Sequence, residues 1–180
     1  MADQELALVA RAASGDERAF AALLESHKDM VYNLAYRTLG NAADAEDVFQ
    51  ETFVSAFKNL SRFRGDSKFS TWLYRIAVNR CRDFMDSKRA RHGFQSIDDI
   101  APEAASTIAK SAGDASETVG EALNFLPADY RIAVNLHCIM GYSYDEAGGI
   151  MGVPGGTVKT YVHRGKEMLR EVLSRSGAGP

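Results

Sequence analysis

An all-α protein built as two small helical domains joined by a flexible linker is what this sequence predicts, and three observations predict it. Apolar residues recur at helical spacing along most of the 180 residues. No segment sustains the period-2 alternation of a half-buried strand. Residues 93–115, GFQSIDDIAPEAASTIAKSAGDA, lose the pattern: they are rich in Ala, Ser, Gly and Asp and hold only scattered apolar anchors. A stretch of that length without strong structure is unusual inside one compact domain. The reading is therefore a helical domain over 1–92, a linker over 93–115 and a second helical domain over 116–180.

Asp16 is placed to cap a long helix through Phe20, Leu23, Leu24, Met30, Val31, Leu34 and Ala35, ending near Leu39 with Gly40 just beyond its end. Either Asn41 or Asp44 starts the next, which carries Val48, Phe49, Thr52, Phe53, Ala56, Phe57 and Leu60. A loop with Arg64-Gly65-Asp66 follows, then a helix capped by Ser67 or Ser70 and carrying Leu73, Ile76, Ala77 and Phe84. Short helices are expected near 116–125, 128–140 and 143–151, and a last one from about 156 to 174. Pro127 suits a helix start and Gly141 a helix end.

The charge balance looks unremarkable as a whole: net −3, with a quarter of the residues charged. Its distribution is uneven. Residues 41–60 hold four acidic side chains against one basic, residues 61–92 nine basic against three acidic, residues 93–126 six acidic against one basic, and residues 156–180 five basic against two acidic. Blocks of this kind are fields with a reach of about a Debye length, ~8 Å at physiological salt.

Several classes of function find no support. No apolar run approaches a membrane span, and MADQELALVARAA lacks the basic and then apolar pattern of a signal peptide, so a cytoplasmic protein without membrane insertion is expected. Cys81 and Cys138 are too few for a disulfide framework and sit in apolar helical contexts, where burial is expected over redox chemistry. Histidines 27, 92, 137 and 163 are scattered, and no metal-ligand spacing, P-loop, dinucleotide turn or nucleophile motif is present. Neither an enzyme nor a cofactor is expected.

The C-terminal stretch YSYDEAGGIMGVPGGTVKTYVHRGKEMLREVL reads as a helix-turn-helix. Ala147, Ile150 and Met151 give a short apolar face, Gly152 the tight turn, Val153 an inward anchor. Val158, Val162 and Leu169 turn the following helix toward a core. Lys159, Thr160, His163, Arg164 and Lys166 then lie on other faces, including the one a recognition helix offers a major groove. An ordinary hairpin with a basic, solvated face is the plainer reading of the same residues. Gly148-Gly149 falls mid-helix, where each Gly costs about 1 kcal/mol relative to Ala, so either that helix is soft or close packing needs small residues.

Residues 61–92 interleave their basic side chains with Phe63, Phe69, Trp72, Tyr74 and Phe84. Cations that track phosphates and rings that stack on bases, at about 1–3 kcal/mol each, suit single-stranded nucleic acid. Leu73, Ile76, Ala77 and Phe84 form a core stripe; Phe63 and Phe69, flanking the glycine loop, are the better placed for bases. Upstream, Asp44, Asp47 and Glu51 form one acidic stripe at i, i+3, i+7, either solvated or facing a basic partner, and Phe49, Phe53 and Phe57 form an expected core stripe.

Taken together, these three motifs resemble the bacterial extracytoplasmic-function (ECF) sigma factors, the small two-domain members of the sigma-70 class. The resemblance covers nearly all of the chain. DAEDVFQETFVSAFKNL is similar to the segment that binds the clamp of the polymerase β′ subunit. RFRGDSKFSTWLYRIAVNRCRDFMDSKR is similar to the segments that open and read the −10 promoter element, and LPADYRIAVNLHCIMGYSYDEAGGIMGVPGGTVKTYVHRGKEMLRE to the region that reads the −35 element.

What the resemblance implies can be stated residue by residue. Asp44, Glu46, Asp47, Gln50 and Glu51 would face core RNA polymerase, whose β′ clamp and β subunits are the implied protein partners. Phe63, Arg64, Gly65, Asp66, Ser67 and Lys68, with Asn79 and Arg80, would hold melted −10 bases. Arg75, Arg82, Lys88 and Arg89 would lie near phosphates. Gly156, Thr157, Lys159, Thr160, His163 and Arg164 would sit in the −35 major groove or at its rim. The acidic linker would thread into the polymerase, and an anti-sigma factor is an implied partner. The chain departs from the family pattern at Gly148-Gly149, at Tyr161 where Arg is frequent, and at Gly165 where Ala is frequent. A stand-alone helix-turn-helix regulator is the alternative; it leaves the acidic stripe and the basic-aromatic block without a role.

Overall fold

The computed structural model describes residues 2–92 and 122–175, with side chains over 4–88 and 122–174. The expected linker 93–115, the expected helix near 116–125 up to residue 121, and the Arg89 side chain lie outside the described residues. Among those described, every regular element is helical: α1 (Ala2–Ala13), α2 (Glu17–Leu39), α3 (Ala42–Asn59), a 3₁₀ turn (Leu60–Arg62), α4 (Phe69–His92), α5 (Ala128–Val134) running into a π-helical turn (Asn135–Ile139), α6 (Tyr144–Met151) and α7 (Gly155–Arg175).

The helix boundaries have local causes. The Asp16 carboxylate accepts from the Arg18 and Ala19 amides at the start of α2. Those bonds and the Arg11 guanidinium hold its pKa below the ordinary carboxylate value. Gly40 ends α2 at φ +79°, in the left-handed region that favours glycine. Asn41, of the two candidates, caps α3 by accepting from the Asp44 amide. α4 begins at Phe69, with Lys68 O accepting the first helical bond from Trp72 N, so it starts between the two serines considered for its cap.

α1 was not legible beforehand. It packs on α2 through Leu8, Val9 and Ala12, and its Glu5 carboxylate lies 2.9 Å from Nε2 of the buried His27. α2, α3 and α4 then pack as a bundle around Leu23, Val31, Leu34, Phe53, Leu60, Leu73, Ala77 and Val78. Burying each large aliphatic side chain contributes about 1.5–3 kcal/mol. The same apolar cluster continues into Ile132, Leu136, Ala147, Ile150, Met151, Val158 and Val162, so the C-terminal helices are packed on the N-terminal bundle.

Three expectations need correcting. Phe69 is 2% exposed and belongs to the core, its ring T-shaped to Phe63 and tilted against His27 and Trp72, because it is the first residue of α4 and points back into the bundle. Phe57, read as core, is 49% exposed on α3 and touches only the edge of the Phe20 ring among the aromatic contacts. Cys138 is exposed on the π-helical turn, whereas Cys81 is fully buried and its thiol is pushed up to about 12 by that burial.

Candidate nucleic-acid interface

The C-terminal motif is built from its caps. Ser143 and Glu146 form a reciprocal capping box at the start of α6, which also holds the Glu146 carboxylate below its ordinary pKa. α6 ends at Gly152, φ +73°, and the chain turns through Val153 and Pro154 into α7. Gly148 sits where a Cβ would lie 2.6 Å from Val153 O, so the tight turn itself demands a glycine; Gly149 has open space. Gly165 likewise lets α7 approach α5, since a Cβ there would come within 2.9 Å of Val134 Cγ2. With Val158 and Val162 buried, Gly156, Lys159, Thr160, His163 and Arg164 are exposed on the outer surface of α7, and Thr157 is half-buried. His163 lies 3.4 Å from the Glu167 carboxylate, and the Thr160 hydroxyl donates to Gly156 O. The second helix of the motif thus turns an apolar face to the core and a polar, partly cationic face to solvent.

On α3, Glu46, Asp47, Gln50 and Glu51 are exposed together, with Gln50 donating to Glu46 at 3.1 Å. Val54 and Phe57 extend the same exposed surface. Asp44 differs: half-buried, it accepts from Lys88 Nζ at 2.7 Å. Clamp-facing and DNA-facing expectations therefore meet in one ion pair.

The order of an acidic face, a basic-aromatic helix and a helix-turn-helix is matched by known families. A model described as Sigma-70 region 2 matches residues 23–91, and one described as Sigma-70, region 4 matches residues 116–169. The ECF RNA polymerase sigma factor SigW of Bacillus subtilis is 38% identical over 174 residues, covering 88% of this chain and 91% of that one. The chain belongs to the sigma-70 class, as an ECF sigma factor. Among solved structures, CnrH in complex with the cytosolic domain of CnrY aligns at a TM-score of 0.65 and 30% identity, covering 93% of this chain and 95% of that one. The sigma factor RpoE of Bartonella quintana, in complex with the anti-sigma factor NepR, aligns at 0.64 and 26%, covering 86% and 96%.

In this sigma factor the −10 candidates are disposed unevenly. Phe63 is half-buried against Phe69 and Trp72, ring centroids 5.8 and 5.4 Å away. Arg64 and Asp66 are exposed across Gly65 (φ +78°) and form a 3.2 Å ion pair. Asn79 and Arg80 line α4, Arg80 beside Asp83 and Asn79 accepting from Arg82. Arg75 donates to Gly149 O of α6, and Arg82 donates to the Asp129 carboxylate of α5 at 2.7 Å and to Met151 O at 3.2 Å. Lys68 lies near enough to Glu146 to contribute to lowering its pKa.

Sequence reasoning missed a second polar seam. Arg131, 6% exposed, donates to Thr38 O and to Asn124 Oδ1, both at 3.0 Å, and to Leu126 O at 3.2 Å. Fully buried Asn135 donates to Arg37 O at 2.9 Å. Both meet the last carbonyls of α2, which lack helical partners and carry the negative end of its dipole. The available signal was two polar residues at i, i+4 inside the otherwise apolar run RIAVNL. Gly40 makes room for this contact, since a Cβ there would lie 2.6 Å from Asn124 Oδ1.

Proposed function

We propose that this sigma factor binds core RNA polymerase through the exposed α3 surface of Glu46, Asp47, Gln50 and Glu51, with Asp44 at its edge, and directs it to promoters read at two places. Residues 1–92 form the domain that melts the −10 element. The 63–68 loop with Asn79 and Arg80 receives the flipped bases, and Arg75, Arg82, Lys88 and Arg89 contact the phosphates. Residues 116–180 form the −35 reader, with Gly156, Thr157, Lys159, Thr160, His163 and Arg164 at the groove. Residues 93–115 tether the two, so that polymerase, by fixing their separation, turns two weak contacts into one strong one. Melting is driven by capture of an unpaired base and needs no catalytic group of this chain.

The observation that carries the reading is the exposed polar face of α7, presented by a capped helix-turn-helix on the same chain as an acidic α3 face and a cation-rich α4. No helix among the described residues is long and apolar enough to cross a membrane, in keeping with work at cytoplasmic DNA. Relatives solved with anti-sigma factors support a partner of that kind here. Run-off transcription with core polymerase, followed by start-site mapping, tests the proposal. Promoter-dependent transcripts that share −35 and −10 sequences are expected, and their absence from every ECF-type promoter would refute it.

A further inference from the structure

Two of the places where this chain departs from the family pattern, Tyr161 and Gly165, meet at one contact. Both lie on α7 in a stripe with Met168 and Val172, at i, i+4, i+7 and i+11, which the helical repeat turns to one side. That side packs on α5. The Tyr161 ring lies 5.2 Å from the Tyr130 ring, tilted at 45°. Further along the stripe Tyr130 joins Met168 and Leu169 in one apolar cluster with Leu126 and Val134. Gly165 is buried between these two ends of the contact. A Cβ there would meet Val134 Cγ2 at 2.9 Å, Leu126 Cδ2 at 3.4 Å and Tyr130 Cβ at 3.6 Å. Bulk present at 161 is thus matched by bulk withheld at 165, one helical turn on. Tyr161 is half-buried and lines a cleft with Arg82, Asp86 and Asp129, whereas Lys159, Thr160, His163 and Arg164 are exposed on the outer surface.

We propose that Tyr161 is a positioning residue of the −35 reader. Set against Tyr130 beside the space that Gly165 leaves open, it fixes the rotation of α7 about its own axis. It thereby aims Thr160 and Arg164, which precede Tyr161 and Gly165 in sequence and lie about 100° away round the helix. Small rotations matter at this radius. Side-chain tips stand ~5–6 Å from a helix axis, so a turn of about 10° carries them through about 1 Å. A binding constellation must be held to within about 0.5 Å. Tyr161 acts through Tyr130 and touches no base. The proposal deepens the reading of α7 as the −35 helix and rests on it.

The test uses holoenzyme assembled from the full chain and core polymerase. Run-off transcription is measured on the promoter that start-site mapping defines and on copies with single −35 base pairs replaced, and the ratio of the two products is the selectivity. A template with a pre-melted −10 segment and no −35 element reports that folding and polymerase binding are intact, and the Tm of the free chain is followed alongside. Tyr161→Ala should lower the selectivity on the order of tenfold, the scale of one good base-edge pairing, with the pre-melted template transcribed as by wild type. Tyr161→Phe keeps the ring and should stay within about twofold of wild type. Gly165→Ala should lower the selectivity as well, and adding Val134→Ala, which removes the Cγ2 that the new Cβ meets, should restore it to within about twofold. Should Tyr161→Ala fail on the pre-melted template too, Gly165→Ala with and without Val134→Ala decides the matter. Wild-type selectivity in Tyr161→Ala at a lowered Tm would make the residue merely structural and overturn the proposal. Equal losses in Tyr161→Phe and Tyr161→Ala would overturn it in favour of direct contact through the hydroxyl. Loss in Gly165→Ala without recovery in the double variant would overturn it too. A wild-type protein that directs no transcription at all removes the −35 reader itself and the proposal with it, an outcome told apart by appearing before any substitution is made.

Discussion

The chain carries two basic helices, α4 and α7, and treats them differently. α7 is held from behind by Val158 and Val162 and presents Lys159, Thr160, His163 and Arg164 outward. α4 is core on one side through Leu73, Tyr74, Ala77, Val78 and Cys81; on its other side Arg75 meets Gly149 O, Arg82 meets Asp129 and Met151 O, and Lys88 meets Asp44, with Arg75 and Lys88 still exposed. Even Tyr74 belongs to this packing: buried at 2% and set against Tyr142 at 5.9 Å, its hydroxyl has a pKa raised first by desolvation and then by its bond to Tyr142. One helix carries its cations on an open outer surface, and the other shares several of its cations with neighbouring helices. A cluster of positive charge in a sequence therefore does not specify a free positive surface.

The largest effect is expected where neither basic helix is involved. Replacing Asp47 and Glu51 together with Lys puts like charge against a basic clamp, a juxtaposition that costs several kcal/mol at an interface. Core polymerase binding, measured by pull-down or titration calorimetry, should fall by about two orders of magnitude or more, while binding of the full chain to a −35 duplex is unchanged. Core affinity within a factor of about two of wild type, well inside the energy of one surface ion pair, would remove α3 from the polymerase surface.

A smaller effect separates the two basic helices. Arg164→Ala should weaken selectivity among −35 duplexes by about 1–3 kcal/mol, the value of one good base-edge pairing. Opening of a pre-melted −10 template by the holoenzyme should not change. A uniform loss over all duplexes, with selectivity preserved, would instead place Arg164 on phosphate.

What could be read in advance divides along the same line. The all-α class, the ends of α2 at Asp16 and Gly40, a start of α3 at Asn41 or Asp44 and the turn at Gly152 were legible, because caps and left-handed glycines act over a few neighbouring residues. The expected helix over 128–140 is present, but its second half is a π-helical turn that places Asn135 against α2. That irregularity is set by a partner more than ninety residues away in sequence, Arg37, and periodicity does not report it. For the same reason the residue types on α4 were readable while their occupancy was not: Arg82 meets Asp129 and Arg75 meets Gly149 only when the two halves are packed together. Phe69 and Phe57 exchanged roles because helix phase near a terminus depends on where the helix starts.

The smallest effects test whether the glycines of α6 serve the turn or the seam, and they differ in sign. At Gly149 a Cβ meets nothing within 4 Å and the backbone is helical, so Gly149→Ala should gain the helix-propensity difference, about 1 kcal/mol, seen as a higher Tm. Its carbonyl, which accepts from Arg75, is untouched by the change. At Gly148 the new Cβ would lie 2.6 Å from Val153 O and 3.0 Å from Gly155 N, both backbone atoms of the turn. Overpacking of that kind costs about 1–3 kcal/mol, enough to outweigh the propensity gain, so Gly148→Ala should lower Tm and weaken −35 binding by misplacing α7. Two adjacent glycines that look alike as helix breakers thus divide. Gly148 is required by the approach of the turn to α6, and Gly149 is dispensable to it. If both substitutions stabilised, the turn that presents α7 would not depend on a glycine at 148.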